Sequence, residues 1–367
     1  VDTATKLGVM VVNAPQSNVV SAAEQTMALI LAQARNTPQA AAALREGRWE
    51  RSKWTGMELH DKTLGIIGLG RIGKLVAQRA LAFGMRLVAH DPFISEDRAR
   101  QLSVELVDLD TLAAEADVVT VHVARTPETI GLVGDDFLSK AKDGVRIINV
   151  ARGGIVDEDA LLRGIESGKV GGAGLDVFTT EPMVDSPLFA LDAVVATPHL
   201  GASTVEAQDK AGVTIAEQVN LALAGDFVPF AVNVDAAEVA GLMRPFLPLA
   251  EQLGALFAAL VTEPPEVAGL PKSIDINFAG EIGEFDNRLA SLAAIKGLLS
   301  ATSDEPVSFV NAHSLLAEAG IEVRTTATST THDFMNRLEI KAGDRSLAGT
   351  LLGLRNEARI IEVDGHD

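Results

Sequence analysis

Residues 63–92 read TLGIIGLGRIGKLVAQRALAFGMRLVAHDP. A short apolar run over residues 63–69 overlaps three glycines spaced as G-x-G-x-x-G, which are Gly68, Gly70 and Gly73. Apolar side chains then recur at helical intervals, and a second apolar run ends at Asp91. The predicted order is strand, tight turn, helix, strand and acid, as in the first βαβ unit of a parallel sheet.

The glycine spacing is typical of a turn that binds a dinucleotide. The first glycine permits the turn, the second lets the backbone approach a pyrophosphate, and the third lets helix and strand pack closely. The helix N-terminus offers N–H groups and a positive dipole end to the phosphates. Asp91 can bind the ribose hydroxyls and would repel a 2′-phosphate, so NAD is expected rather than NADP. The alternative is a glycine turn with a structural role alone.

Composition and charge exclude several classes of protein. The chain has 367 residues, 47% of them hydrophobic, which suffices for two or three domains. Its formal net charge of −19 argues against a nucleic-acid partner, which would need a basic face. No cysteine is present, so disulfides, Cys-ligated zinc and thiol catalysis are excluded, and no metal is expected. Without a signal peptide or an apolar run of membrane-spanning length, a cytoplasmic protein is expected.

Strands alternate with helices up to Val234, which indicates a doubly wound parallel sheet. The predicted strands are 9–12, 63–69, 86–89, 118–123, 146–151, 174–177 and 194–197. The predicted helices are 21–34, with Ser21 as N-cap, 72–83, 135–142, 157–167 and one that follows Ser203 and ends at Ala224. Beyond Val234, helices 244–261, 287–301 and 313–319 mix with strands 273–278, 307–310, 322–328, 334–341 and 347–363, as in an α+β domain.

Three polar residues follow three of these strands: Arg152, Glu181 and His199. Ligands of open α/β sheets bind outside the carboxyl ends of the strands, so all three are expected at one edge with the glycine turn. A hydride-transfer site needs a cation for the substrate carboxylate, a proton carrier and a carboxylate that orients the carrier. Arg, His and Glu suit these roles. Each also has a structural interpretation, as a surface ion pair, a loop histidine or a turn residue.

Residues 44–56, LREGRWERSKWTG, form a basic segment that contains two tryptophans. Its cations are Arg45, Arg48, Arg51 and Lys53. One interpretation is a solvated charged loop with two packing tryptophans. The other is a local patch that attracts anions to an acidic protein. The sequence leaves both open.

Several motifs resemble the D-isomer-specific 2-hydroxyacid dehydrogenases from Val1 to about Val234. They are GLGRIG, INVARGGIVDEDAL, GLDVFTTEP and TPHLGAST. The residues after Val234 resemble the intervening domain of the longer family members. The resemblance implies a Rossmann-type doubly wound sheet, a partial flavodoxin-like substrate domain and a C-terminal α+β domain. The implied bounds are 18–204 for the NAD-binding domain, 1–17 with 205–233 for the substrate domain, and 234–367 for the intervening domain.

The resemblance also implies a role for each residue that matches a family motif. Arg152 would hold the 2-oxo acid, His199 would be the acid/base catalyst, and Glu181 would pair with it. Arg51 would reach the substrate, in the family from the neighbouring subunit. Val123 stands where relatives often carry Thr or another small residue, so a side-chain hydrogen bond there is lost or was never essential. The implied cofactor contacts are Gly68, Gly70, Arg71, Ile72, Gly73, Asp91, Val123, Ala151, Arg152, Gly153, Asp176, His199, Leu200, Gly201 and Ala202.

The implied activity is NAD-dependent oxidation of D-3-phosphoglycerate to 3-phosphohydroxypyruvate, the first step of L-serine biosynthesis. A homodimer or homotetramer is implied as well. One alternative is another enzyme of the family, such as a hydroxypyruvate or glyoxylate reductase, against which the segment after Val234 argues. A second alternative is a non-catalytic NAD-sensing scaffold, because such branches can keep all three catalytic residues.

The family pattern extends beyond both ends of this sequence. In relatives, about 100 further residues of the substrate domain precede the position that matches Val1. The long form also continues past the position of Asp367 into a serine-sensing regulatory domain. The chain as given is therefore expected to bind NAD with little turnover and no inhibition by serine.

Overall fold

The computed structural model describes residues 1–224, 226–234, 243–262, 267–303, 306–331, 333–353 and 355–366. The chain divides into two compact units, Pro15–Val213 and Val1–Ala14 with Thr214–Asp367. The predicted boundary at Val234 adjoins residues 235–242, which lie outside the described residues, and the three-domain division stays a prediction.

Helices and strands of the described residues occur in both units. The α-helices are α1 (Asp2–Lys6), α2 (Val19–Arg35), α3 (Thr37–Arg45), α4 (Arg71–Ala82), α5 (Glu96–Gln101), α6 (Leu109–Glu115), α7 (Asp135–Lys140), α8 (Glu158–Glu166), α9 (Val205–Ala224), α10 (Phe246–Val261), α11 (Arg288–Ser300) and α12 (Ala312–Glu318). The strands are β1 (Thr63–Ile67), β2 (Arg86–His90), β3 (Glu105–Leu106), β4 (Val118–Val121), β5 (Val145–Asn149), β6 (Val170–Leu175), β7 (Val194–Ala196), β8 (Ser273–Gly280), β9 (Glu322–Thr328), β10 (Asn336–Ala342), β11 (Arg345–Leu352) and β12 (Glu357–Val363). Short 3₁₀ helices lie at Pro187–Ala190, Val267–Gly269 and Glu281–Glu284.

The unit Pro15–Val213 is built around a seven-stranded parallel sheet with the order β3-β2-β1-β4-β5-β6-β7. The chain moves outward from β1 to β3 and then returns to place β4 on the other side of β1. Strand order therefore reverses between β1 and β4. Doubly wound sheets bind ligands at the carboxyl ends of the strands beside such a reversal. The predicted Rossmann-type sheet is confirmed.

Helices cover both faces of this sheet, which explains why its central strands are mostly apolar. One face packs against α2 and α4, with Ile30 and Val76 in the core. The opposite face packs against α6 and α8, with Leu112 and Leu161 in the core. All five residues of β1 are buried as a result. A strand buried on both sides has a continuous apolar run rather than alternation.

Some predicted boundaries in this unit are wrong. The sequence predicts Ser21 as the N-cap of α2, but the helix begins at Val19 and Asn18 is its N-cap. The Ser21 hydroxyl instead donates to the Asn18 carbonyl at 3.0 Å. The prediction also misses α3, α5, α6 and the two-residue strand β3.

The second unit contains a five-stranded sheet with the order β12-β11-β10-β8-β9. Its strand pairs are antiparallel except β8 with β9, which is parallel. β8 alternates between half-buried and buried residues, and Ile274, Ile276 and Phe278 enter the core. Core residues of α10 and α11, among them Phe257 and Leu298, cover one face of the sheet. The predicted α+β domain is confirmed.

Three predicted strands in this unit differ from the structure. The predicted strand 9–12 is reduced to an isolated bridge between Val12 and Ala231. Residues 307–310 form a turn, because the Asn311 side chain accepts from the Ser308 N–H at 2.7 Å. The single strand predicted over 347–363 is two strands, β11 and β12, and residue 354 within it lies outside the described residues. Over the part of the chain that is described, no helix is long and apolar enough to cross a membrane.

Candidate active site

The glycine turn after β1 leaves an open approach to the N-terminus of α4. Gly68 has a φ of 93°, which favours glycine. A Cβ on Gly73 would lie 2.2 Å from the Gly68 carbonyl oxygen, so helix and strand approach as closely as predicted. A Cβ on Gly70 would meet nothing within 4 Å among the described atoms, and no described side chain caps α4. The space and the exposed helix end fit the pyrophosphate of NAD.

Asp91, directly after β2, supports this turn. Its Oδ2 accepts a hydrogen bond from the Leu69 N–H at 2.7 Å, and its Oδ1 accepts one from the Phe93 N–H at 2.9 Å. The side chain remains partly exposed. Since a carboxylate has about four acceptor positions, it can still accept from the ribose hydroxyls. Asp91 therefore has a structural role beside its predicted contact with the cofactor.

His122 and Val123 follow β4 and lie under the same turn. A Cβ on Gly68 would lie 2.9 Å from the His122 carbonyl oxygen and 2.8 Å from Val123 Cγ1. The His122 ring Nε2 is 3.1 Å from Thr120 Oγ1. Burial lowers the pKa of His122 to about 4. The imidazole is therefore neutral near pH 7 and adds no charge beneath the turn.

Arg152 lies in the loop after β5, whose backbone is held by two hydrogen bonds of the Asn149 side chain, called here the Asn149 clamp. The buried Asn149 side chain donates to the Arg152 carbonyl oxygen at 3.0 Å and accepts from the Ala151 N–H at 3.0 Å. The exposed Arg152 guanidinium donates to the Ala151 carbonyl oxygen at 2.6 Å. A Cβ on Gly153 would lie 1.7 Å from the Phe178 carbonyl oxygen. Only glycine therefore allows the loop after β5 to touch the segment after β6.

Glu181 and His199 form a direct pair. Glu181 Oε2 lies 2.7 Å from His199 Nδ1, and Glu181 Oε1 accepts from the Phe178 N–H at 3.0 Å. With Nδ1 engaged, Nε2 is the ring nitrogen left for a reacting group. His199 has a φ of 56°, in the left-handed region where residues other than glycine are uncommon. Such backbone conformations concentrate at functional sites.

The surroundings keep Glu181 ionised. Burial alone would raise the pKa of Glu181, but hydrogen bonds from His199 and the Phe178 N–H outweigh it. The positive charges of His199 and Arg152 act in the same direction, so the pKa lies below its ordinary value. The carboxylate can therefore stabilise the charge that appears when the imidazole takes up a proton.

Asp176, directly after β6, fixes the turn that carries His199. The side chain is fully buried, and its oxygens accept from the Leu200 N–H at 2.7 Å and the Gly201 N–H at 2.7 Å. The Thr197 hydroxyl donates to the same carboxylate at 2.5 Å. The main-chain carbonyl of Asp176 accepts from the His199 N–H at 2.9 Å. Asp176 therefore fixes the backbone of the turn that carries the His199 imidazole. The contact of Asp176 with NAD stays a prediction.

One cavity brings the predicted catalytic residues together. It has a volume of ≈ 240 Å³, and its walls include Arg152, Glu181 and His199. The other lining residues are Arg125, Gly153, Val177, Phe178 and Thr179. The prediction misses Arg125. The signal was present, because Arg125 is a cation in the loop after β4, at the same edge of the sheet.

The other predicted residues lie outside this cavity. Arg71 is exposed and Ile72 is half-buried in the first turn of α4. Ala202 is exposed in the turn after His199. Arg51 is exposed in a turn after α3 and does not line the cavity of its own unit.

The basic segment is partly neutralised within its own unit. Arg48 lies 2.6 Å from both Glu46 and Glu50. Lys53 Nζ lies 2.9 Å from Asp192 Oδ2. These ion pairs favour the interpretation of the segment as a solvated charged loop. The prediction of two packing tryptophans is wrong for Trp49, which is 82% exposed, whereas Trp54 is half-buried. Arg51 remains its candidate for contact with an anion.

Two known family models match parts of the chain. Residues 27–201 match the D-isomer specific 2-hydroxyacid dehydrogenase, NAD binding domain, and residues 242–364 match the D-3-phosphoglycerate dehydrogenase intervening domain. The chain belongs to the D-isomer-specific 2-hydroxyacid dehydrogenase family, as its motifs predict. It is thus an oxidoreductase, and the cofactor of its matching domain is NAD.

Individual relatives in this family are similar to the chain over most of their length. A protein of Mycobacterium leprae named D-3-phosphoglycerate dehydrogenase is 49% identical over 372 residues, which cover 100% of this chain and 69% of the relative. The protein of that name from Mycobacterium tuberculosis H37Rv is 48% identical, with 100% and 69% covered. Among solved structures, D-lactate dehydrogenase from Aquifex aeolicus complexed with NAD and lactic acid is 33% identical, with a TM-score of 0.56 and 61% of this chain and 72% of that chain covered.

Proposed function

We propose that this protein catalyses the NAD-dependent oxidation of D-3-phosphoglycerate to 3-phosphohydroxypyruvate, the first step of L-serine biosynthesis. The observation that carries the chemistry is the Glu181–His199 pair, which shares a cavity with Arg152. The identity of the substrate is supported by the name of the relatives and by the match to the intervening domain.

Arg152 binds the substrate carboxylate. A planar guanidinium presents paired donors that match a carboxylate, and it also polarises the neighbouring oxygen on C2. The Asn149 clamp holds the backbone of Arg152, while its side chain stays exposed toward the cavity. The carboxylate is thereby oriented before any bond changes, which lowers the entropic part of the barrier.

His199 carries the proton. In oxidation, the neutral imidazole accepts the proton of the C2 hydroxyl, and in reduction the imidazolium returns it. Glu181 holds the ring by Nδ1 and stabilises its positive charge. NAD, which the glycine turn before α4 and Asp91 would hold, would supply the acceptor for the hydride of C2. The hydroxy acid thus loses one hydride and one proton, and it becomes the 2-oxo acid.

The proposal includes a homo-oligomer in which Arg51 of one subunit reaches the substrate of the next. Its exposure and its position outside the cavity of its own unit support this. Mixing Arg51→Ala and His199→Asn subunits tests it, because a mixed dimer would hold one complete site. About a quarter of the unmodified activity is expected from a random mixture of dimers. A mixture no more active than its components would contradict a role across subunits.

Initial rates of the protein at its natural length with a panel of substrates test the activity. NADH formation is measured with D-3-phosphoglycerate, D-glycerate and D-lactate, and NADH consumption with hydroxypyruvate and glyoxylate. The highest kcat/KM is expected for D-3-phosphoglycerate among the hydroxy acids. Preference for glyoxylate or unphosphorylated hydroxypyruvate would assign the protein to a different reaction of the family. NADH binding without any turnover would favour the scaffold alternative.

A further inference from the structure

Two arginines from neighbouring loops line the catalytic cavity. Arg152 follows β5, and Arg125 follows β4, which is paired with β5 in the sheet. A Cβ on Gly154 would lie 3.5 Å from Arg125 Nε, so this side chain lies close to the backbone that follows Arg152. Both guanidinium groups therefore line the same cavity as the Glu181–His199 pair.

Arg125 differs from many other arginines of this acidic chain. Arg86 lies 2.7 Å from Glu115, and Arg163 lies 2.6 Å from Asp135. Over the described residues, Arg125 has neither an ion pair nor a side-chain hydrogen bond. In a protein with a formal net charge of −19, an unpaired guanidinium beside the catalytic pair is a local site of positive charge.

The substrate class proposed above has two anionic ends. Its carboxylate is on one side of C2, and its phosphate, with a charge of about −1.5 to −2 near pH 7, is on the other. Arg152 accounts for the carboxylate, which leaves the phosphate without a partner inside the cavity. We propose that Arg125 binds the substrate phosphate and thereby selects phosphorylated substrates, an inference that rests on the proposed function.

The acidic residues on the side of Arg125 away from the catalytic cavity indicate the direction from which an anion approaches it. There it lines a second cavity of ≈ 350 Å³ together with Asp157, Glu158 and Asp159. Glu158 Oε1 accepts from the Thr179 N–H at 2.6 Å, which fixes one of these carboxylates in place. Three acidic residues repel a phosphate on that side. The anion therefore approaches Arg125 from the catalytic cavity.

Replacement of Arg125 by Met tests this in the protein at its natural length. The KM for 3-phosphohydroxypyruvate is expected to rise by about 10- to 100-fold, the size of a lost charge-assisted contact. The kcat/KM for hydroxypyruvate, which lacks the phosphate, and the Kd for NADH should stay within about twofold. Arg125→Lys should restore part of the affinity as a point charge. The matched control is Arg98→Met, which replaces an exposed arginine on α5. It should leave the KM for 3-phosphohydroxypyruvate and the kcat/KM for hydroxypyruvate unchanged.

Three results would overturn the inference. An equal fall in kcat/KM for 3-phosphohydroxypyruvate and for hydroxypyruvate would mean that Arg125 acts through the loop that carries Arg152. A weaker Kd for NADH would mean that it contacts the cofactor instead. An unchanged KM for the phosphorylated substrate would mean that it has no role.

Direct binding separates this inference from the proposed function. The complex with NADH is titrated with 3-phosphoglycerate by calorimetry, whether or not the phosphorylated substrates turn over. Binding that falls about tenfold or more in Arg125→Met supports the phosphate site even if the proposed reaction is wrong. Binding that is absent, or that is the same in both proteins, overturns the site.

Discussion

The two sheets of this chain use charged residues in opposite ways. In the parallel sheet, Arg125, Arg152 and the Glu181–His199 pair collect around one cavity. In the mixed sheet, Arg337 lies 2.9 Å from Glu339 and 3.0 Å from Glu362, so the charges neutralise one another across β10, β11 and β12. Over the described residues, Arg125 and Arg152 at this cavity have no ion pair, whereas Arg337 of the mixed sheet has two.

Strand direction explains the difference. All strands of the parallel sheet end at the same edge, so the loops that follow them bring their polar side chains together. Neighbouring antiparallel strands end at opposite edges, and their side chains meet across the face of the sheet instead. A parallel sheet can therefore assemble a reactive site from distant segments, while the ladder of a mixed sheet tends to satisfy its charges locally.

The largest expected effect is a fall in kcat when the histidine of the candidate site is replaced, compared with a histidine of the second unit. His199→Asn should lower kcat by about 10³-fold, because the acid/base group is lost, and leave the Kd for NADH unchanged. His313→Asn, at an exposed position on α12, is the matched histidine in the second unit and should leave kcat unchanged. Steady-state kinetics and fluorescence titration of the protein at its natural length give the kcat and the Kd of both variants. Near-normal turnover in His199→Asn would remove this residue from the mechanism.

A smaller effect is expected at the glycine turn. Asp91→Asn removes the negative charge that would repel a 2′-phosphate, so the preference for NADH over NADPH should shrink by about 10- to 100-fold. The amide oxygen can still accept one of the two backbone N–H groups that Asp91 holds, from Leu69 or from Phe93. Asp91→Ala loses both and should also unfold more easily. Fluorescence titration with the two nucleotides measures the preference, and equal affinity in the unmodified protein would contradict the argument.

The pH dependence tests the paired charges within the site itself. The pKa of Glu181 is lowered from its ordinary value of 4.5, so its charge is constant above that pH and is lost only as the pH falls through the lowered pKa. Oxidation, which needs the neutral imidazole, should therefore speed up as pH rises, and reduction should slow down. Glu181→Gln removes the negative charge that stabilises the imidazolium, so the rates of both reactions should fall by about 10- to 100-fold while the Kd for NADH stays unchanged. Rates that do not fall would show that Glu181 has no electrostatic effect on the catalytic step.

Much of the fold could be predicted from local patterns. The apolar run of β1, the glycine spacing and the alternation of β8 each reflect burial that acts residue by residue. The strand predicted over residues 307–310 fails because Asn311 bonds to Ser308 and turns the chain, and such a contact has no period. β6 begins at Val170 rather than at Gly174 because its glycines hide the apolar run.

The candidate site divides in the same way. Arg152, Glu181 and His199 could be grouped from strand ends alone, because topology determines which loops meet. The support behind them could not be predicted, since it depends on three-dimensional contacts. The clamp by Asn149 and the buried bonds of Asp176 are of this kind.

The smallest expected effect concerns the mixed sheet alone. Arg337 is partly buried between Glu339 and Glu362, with 30% of its side chain exposed. Burial alone would lower the pKa of Arg337, but hydrogen bonds to Glu362 and Glu339 raise it overall, so the guanidinium stays charged. Arg337→Met leaves two half-buried carboxylates without their cation, and it should cost about 1–2 kcal/mol of unfolding free energy.

The matched control is Arg359→Met on β12, since Arg359 pairs with Glu357 at 2.6 Å with 55% of its side chain exposed. An exposed pair of this kind contributes about 0–1 kcal/mol, so the control should be the milder change. Urea unfolding followed for each transition measures both, because two compact units need not unfold together. Both variants should keep the kcat and the NADH affinity of the unmodified protein. Equal costs for the two substitutions would show that burial does not distinguish the pairs, and a fall in kcat would show that charge in the mixed sheet is not structural alone.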